Sequence, residues 1–170
     1  MKYPGTAIGF LLTILASTLL AGYAAAVPPE GVGTVVDLEF SDLLGSGEYR
    51  TIDPARSEGL TLLVFWSSTC APCLREIPVI NRLRSEYAAS SLLIVGLPQD
   101  ERPERVIAIC TRFGVNWPQH VESGGAMEKP SARRLGIVRT PSYALLDAAG
   151  RVTDLGFSDP ERVLRDDLDR

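Results

Sequence analysis

The sequence predicts an α/β domain, a mixed sheet covered by helices on both faces, and three observations carry that prediction. Leu60-Thr-Leu-Leu-Val-Phe-Trp66 is an apolar run of strand length, interrupted only by Thr61. Behind it, residues 73–87 place Ile77, Ile80, Leu83 and Tyr87 at helical spacing, with arginines and acids on the opposite face. Further on, Tyr143–Leu146 and Val152–Leu155 flank the turn Ala148-Ala-Gly150, which makes a hairpin. A chain of 170 residues, 45% hydrophobic and 22% charged, is enough for one globular domain with a core of its own. Its net charge of −4 argues against a nucleic-acid partner.

The first segment stands apart. Met1-Lys2-Tyr3 is a short positive start, and residues 8–26 are apolar and uncharged, ending in Ala24-Ala-Ala26. Residues 1–26 are therefore an export signal or a membrane anchor. Cleavage after Ala26 fits the small-residue ending, whereas the length fits the roughly 20 residues that span a bilayer. Residues 1–30 contain no cysteine, which excludes an acylated lipoprotein. In either case the domain is expected in the periplasm, soluble or held to the inner membrane by residues 8–26, where disulfides persist.

Residues 27–33 form a Pro/Gly linker, and residues 34–170 form the folded domain. Val35–Phe40 and Glu48–Ile52 are short strands around Gly45-Ser-Gly47, an N-terminal hairpin. After the Leu60–Trp66 strand and its helix, in which Pro78 predicts a kink, Ser91–Leu97 is a second apolar strand. Pro103 opens a helix that runs to about Phe113. A short helix over Met127–Leu135 closes at Gly136, and Asp159-Pro160 starts a last helix running nearly to Arg170.

Chemistry concentrates at Cys70-Ala-Pro-Cys73, just after the strongest strand. The spacing puts both sulfurs on the first turn of the following helix. Unpaired backbone N–H groups and a partial positive charge there favour a thiolate, and a thiolate beside a second thiol can exchange disulfides. As a static bridge the pair closes too short a loop to add much stability. A zinc site would need two more ligands, and only Cys110 and His120 remain, without a recognisable spacing. Cys110 lies in the apolar Val106-Ile-Ala-Ile-Cys110 and reads as a small core residue, with a third redox thiol as the alternative. His120 reads as a surface or strand-edge residue, with a copper ligand as the alternative.

Phe65-Trp66-Ser-Ser-Thr-Cys70-Ala-Pro-Cys73-Leu-Arg-Glu76, together with Arg139-Thr140-Pro141-Ser142-Tyr143 and Asp147-Ala-Ala-Gly150, resembles the thioredoxin fold. More closely it resembles the exported TlpA/ResA-type thiol–disulfide oxidoreductases, over roughly residues 33–168. The resemblance implies that Cys70 is the exposed nucleophile and Cys73 the resolving thiol. It implies that Glu76 exchanges a proton with Cys73, and that Thr140 and a cis Pro141 form the substrate-binding loop. Trp66 belongs to that same side of the site, as packing beneath it. The redox-active disulfide Cys70–Cys73 would be the only cofactor. Partners would be protein thiols and disulfides, with a membrane electron donor of the thiol-transfer type. A reductive role follows from the resemblance, in cytochrome c maturation or in reducing the thiols of a copper site.

Three positions depart from the relatives' pattern. Thr69 stands where a tryptophan is usual, Val64 where thioredoxin has a buried aspartate, and Leu74 where a lysine is frequent. Two other functional classes use the same residues: a copper-binding chaperone of this fold, and an exported thiol peroxidase.

Overall fold

The computed structural model describes residues 31–36, 38–45, 49–52, 59–88, 90–125 and 128–168. The expected export segment, residues 1–26, and most of the linker lie outside them. Among the described residues no helix is long and apolar enough to cross a membrane. The elements are β1 (Leu38–Ser41), β2 (Tyr49–Ile52), β3 (Leu60–Trp66), α1 (Ala71–Glu86), β4 (Leu92–Pro98), α2 (Pro103–Phe113), α3 (Pro130–Arg134), β5 (Ser142–Leu146), β6 (Val152–Phe157) and α4 (Pro160–Leu168).

β3 is apolar except for the buried Thr61 because the sheet is covered on both sides there. The central sheet runs β4-β3-β5-β6, with β3 and β4 parallel and β5 antiparallel to both β3 and β6. Successive β3 side chains point to opposite faces. Leu62, Val64 and Trp66 pack in one cluster with Cys73, Ile80 and Leu83 of α1, Val106 and Cys110 of α2, and Val163 and Leu164 of α4. Leu63 and Phe65 pack in the other, with Ala132 of α3 and with Val36 and Leu38 from the N-terminal segment. The fold is the expected thioredoxin-like α/β architecture with a mixed sheet. β1 and β2 pair antiparallel as a separate two-stranded sheet, so the N-terminal hairpin stays off the central one. Residues 46–48 of its turn lie outside the described residues.

Several boundaries differ from expectation, each for a local reason. α1 starts at Ala71, ahead of the apolar periodicity, because Cys70 takes the N-cap position in extended conformation. Pro78 lies inside α1 and is exposed, and the helix continues through it to Glu86. The expected helix over residues 127–135 starts only at Pro130. A residue before proline is pushed out of the helical region, and Lys129 is extended at φ −64°, ψ 146°. Val35 belongs to no strand of the hairpin; it bridges Arg151, while the Val36 N–H donates to Gly150 O. Residues 117–120, read from the sequence only for His120 at the surface or a strand edge, form part of the sheet's border. They run parallel along β4, where the Gly96 N–H donates to Pro118 O and the His120 N–H to Gly96 O, each at 2.8 Å.

Candidate active site

The end of β3 delivers the chain to a tight turn, Ser67-Ser68-Thr69, and then to α1. The Cys70 N–H donates to Ser67 O at 3.1 Å, which closes the turn. Cys70 caps α1, its Sγ accepting the Cys73 N–H at 3.2 Å. One of the helix's unpaired first-turn donors is thus aimed at the outer sulfur. Pro72 occupies the first turn, where the missing N–H costs no helical bond. The structure joins the two sulfurs as a disulfide, with the Cα atoms 5.3 Å apart. Their exposures differ sharply: Cys70 is half-buried behind exposed Thr69, Ala71 and Pro72, whereas Cys73 is 3% exposed in the core.

A polar network holds the turn from behind. The Asp100 carboxylate, at the end of β4, accepts the Ser68 N–H at 2.9 Å and also the Ser68 hydroxyl. Asp100 in turn offers its carbonyl to Lys129 Nζ at 2.7 Å. Lys129 is 1% exposed, and this burial lowers its pKa, opposed by the charges of Glu122, Asp100 and Glu101. Beside the turn lies a pocket of about 200 Å³ between Ser67, Thr69 and the Gln99–Arg105 segment.

On the other side, the Thr140–Pro141 peptide is cis and leads straight into β5. Ser142 pairs with Phe65 and Tyr143 with Val64, so the proline lies at the same end of the sheet as Trp66 and the cysteine turn. Tyr143 is 1% exposed, and its hydroxyl donates to Glu76 Oε2 across to α1. Burial first, then the bond to and charge of Glu76, push the phenol pKa well above its ordinary 10.0. Glu76 itself is half-buried, three residues after Cys73.

Trp66 is 2% exposed, and its Nε1–H donates to Gln119 Oε1 at 2.9 Å. It packs beneath the cysteine turn, at the end of β3 that leads into it. His120 is at the β4 edge, its Nδ1 accepting the Ser41 N–H at 3.2 Å. Cys110 is buried and unpaired with any other cysteine, and burial, with smaller contributions from Asp42 and Asp100, pushes its pKa up to about 12. Among the described residues no group of three His, Cys, Asp or Glu side chains is placed to hold a metal ion.

The structure therefore gathers Cys70, Cys73, Glu76 and Pro141 around one end of the sheet. It adds Tyr143, Ser68, Asp100 and Lys129, which the sequence did not single out. The hydroxyl run before Cys70 and the acid closing β4 were the available signals, since ligands of α/β sheets gather at the carboxyl ends of parallel strands. Tyr143 stood in the run around Pro141 that carries the resemblance, but nothing there pointed to a bond with Glu76.

Because Cys70 is within reach of a partner and Cys73 is not, the pair can pass a disulfide outward one sulfur at a time, the chemistry of a thioredoxin-like oxidoreductase. Residues 41–168 match the Redoxin family, and the chain belongs to that family. A ResA thiol-disulfide oxidoreductase of Geobacillus thermodenitrificans is 30% identical over 143 residues, covering 84% of this chain and 78% of its own. A second ResA, from Geobacillus kaustophilus, is 31% identical over 146 residues, covering 85% of this chain and 80% of its own. Among solved structures, a thiol-disulfide oxidoreductase from Bacteroides fragilis superposes with a TM-score of 0.68 at 20% identity, covering 79% of this chain and 98% of that one.

Proposed function

We propose that this protein is an extracytoplasmic reductase of protein disulfides, working through Cys70 and Cys73 with no further cofactor. The observation that carries the reading is the asymmetry of the pair: a half-buried N-cap sulfur receiving a helix N–H, and a core sulfur behind it. In the reduced enzyme, the Cys70 thiolate attacks one sulfur of a partner disulfide and expels the other as a thiolate. Cys73 then loses its proton to Glu76 and attacks the Cys70 sulfur. The partner's second thiol leaves, and the Cys70–Cys73 disulfide remains. Two electrons pass to the partner, and a membrane thiol donor of the thiol-transfer type returns them. Thr140 and Pro141 offer backbone to the partner's extended chain.

The apolar segment of residues 8–26 and the likeness to ResA proteins support export, with the domain in the periplasm or tethered to the inner membrane. The resemblance also supports apocytochrome c, or the thiols of a copper-receiving protein, as the substrate. A Cys73→Ser variant expressed in the native host tests the reading: Cys70 then holds its partners as mixed disulfides that mass spectrometry identifies. Exported proteins with paired cysteines are expected, and an absence of any trapped partner would remove the exchange role. Direction is tested by trapping thiols in acid. The pair should be mostly reduced in its compartment, and a mainly oxidised pair would reverse the direction.

A further inference from the structure

We propose that Tyr143 is a positioning residue for Glu76 and acts only on the resolving half of the exchange. The inference rests on the reading of Glu76 as proton acceptor for Cys73. Tyr143 stands on β5 two residues beyond Pro141, opposite Val64, with its ring buried and its hydroxyl donated to Glu76 Oε2. Among the described residues it is the hydrogen bond that the Glu76 carboxylate makes to another side chain. Glu76 follows Cys73 by three residues on α1, so the two side chains share a helix face.

The consequences follow from ordinary hydrogen-bond chemistry. A phenol whose pKa is raised keeps its proton throughout the neutral range, so toward the carboxylate it is always the donor. With Oε2 engaged, Oε1 is the oxygen left to receive the proton of Cys73. A carboxylate on a flexible two-carbon stem is otherwise spread over several rotamers, and a charge-assisted bond to a buried hydroxyl selects one of them. In the step concerned, the Cys73 S–H bond breaks and its proton goes to Glu76. The Cys73–Cys70 S–S bond forms as the Cys70–partner S–S bond breaks, and the partner sulfur leaves with the electron pair. Cys70 makes the first attack before any of this, so that attack is indifferent to Tyr143.

The test is single-turnover reduction of a disulfide peptide by pre-reduced enzyme, quenched in acid to separate mixed-disulfide formation from its resolution. Tyr143→Phe keeps the ring and removes the hydroxyl. Resolution should slow about tenfold, as expected for loss of a bond to a charged group, while formation is unchanged and the mixed disulfide accumulates. Glu76→Gln should slow resolution at least as much, and the double variant should match Glu76→Gln alone. Equal slowing of both steps by Tyr143→Phe, or a double variant slowed by the product of the two single effects, would overturn the inference. If Glu76→Gln slows resolution and Tyr143→Phe does not, only the role of Tyr143 falls. If Glu76→Gln leaves resolution untouched, the reading of Glu76 falls and the inference with it.

Discussion

At the scale of single residues, three cysteines of one type are given three chemical characters by position. Cys70 sits at a helix start with an N–H on its sulfur, Cys73 lies one turn inside the core, and Cys110 is enclosed by apolar neighbours of α2. With the Cys110 pKa pushed up to about 12, roughly one molecule in ten thousand carries its thiolate at pH 8. In the reduced, folded protein, iodoacetamide at pH 8 should therefore label Cys70 first and leave Cys110 unmodified until the protein is unfolded in urea. Peptide mapping after timed alkylation checks this, and early labelling of Cys110 would contradict the burial argument. The third-thiol alternative for Cys110 gains nothing from this environment. The helical periodicity around it already showed its place in the core, because burial of a small apolar thiol follows from its neighbours. Glu76 was legible only through resemblance, since its partner Tyr143 lies sixty-seven residues away, and no local pattern announces such a contact.

At the scale of elements, the site depends on how β4 and the segment beside it approach each other. A Cβ on Gly96 would press on Gln119 Oε1 and on the Trp117 ring, so this position requires glycine through close approach. Gln119 is fully buried and accepts the Trp66 indole N–H, which links the edge of the sheet to the floor of the site. Gly96→Ala should cost about 1–3 kcal/mol, measured from urea midpoints, and should shift the Trp66 fluorescence. A second joint is Asn81 of α1, whose amide donates to Phe113 O and Gly114 O and whose carbonyl accepts the Trp117 Nε1–H, at 3.0, 3.2 and 3.0 Å. Asn81→Ala leaves a buried indole N–H unpaired and is expected to destabilise by about 1–3 kcal/mol. Strands and helices with strong periodicity were readable from the chain, β3 and α1 above all. The pairing of residues 117–120 along β4 was not, because it consists of backbone bonds across a Gly whose only signal is a missing side chain.

At the scale of the whole molecule, buried titratable groups set how the fold responds to alkali. Cys110 goes from an ordinary 9.0 to about 12 on folding, and Tyr143 is raised above 10.0. Both keep protons in the native state that the unfolded chain releases, so their contribution is fully present below about pH 9 and is lost as pH climbs toward 12. Lys129 has the opposite sign: its pKa is lowered from 10.5, so its contribution improves as pH rises toward that value. Cys110→Ala removes one of the destabilising slopes, at most about 1.4 kcal/mol per pH unit. Urea midpoints between pH 8 and 11 should fall less steeply for Cys110→Ala than for the parent; parallel curves would refute the assignment.

The architecture was legible at this scale because alternating strand and helix periods leave few topologies. The buried Lys129–Asp100–Ser68 network was not, since a lone lysine before a proline looks like an exposed loop residue until the chain is folded. In the proposed exchange Cys70 attacks and Cys73 resolves. Reduction of insulin disulfides with dithiothreitol as electron source tests it most directly, comparing the parent with Cys70→Ser and Cys110→Ser. Cys110→Ser should keep full activity and Cys70→Ser should fall to the uncatalysed level; turnover that survives loss of Cys70 would overturn the assignment.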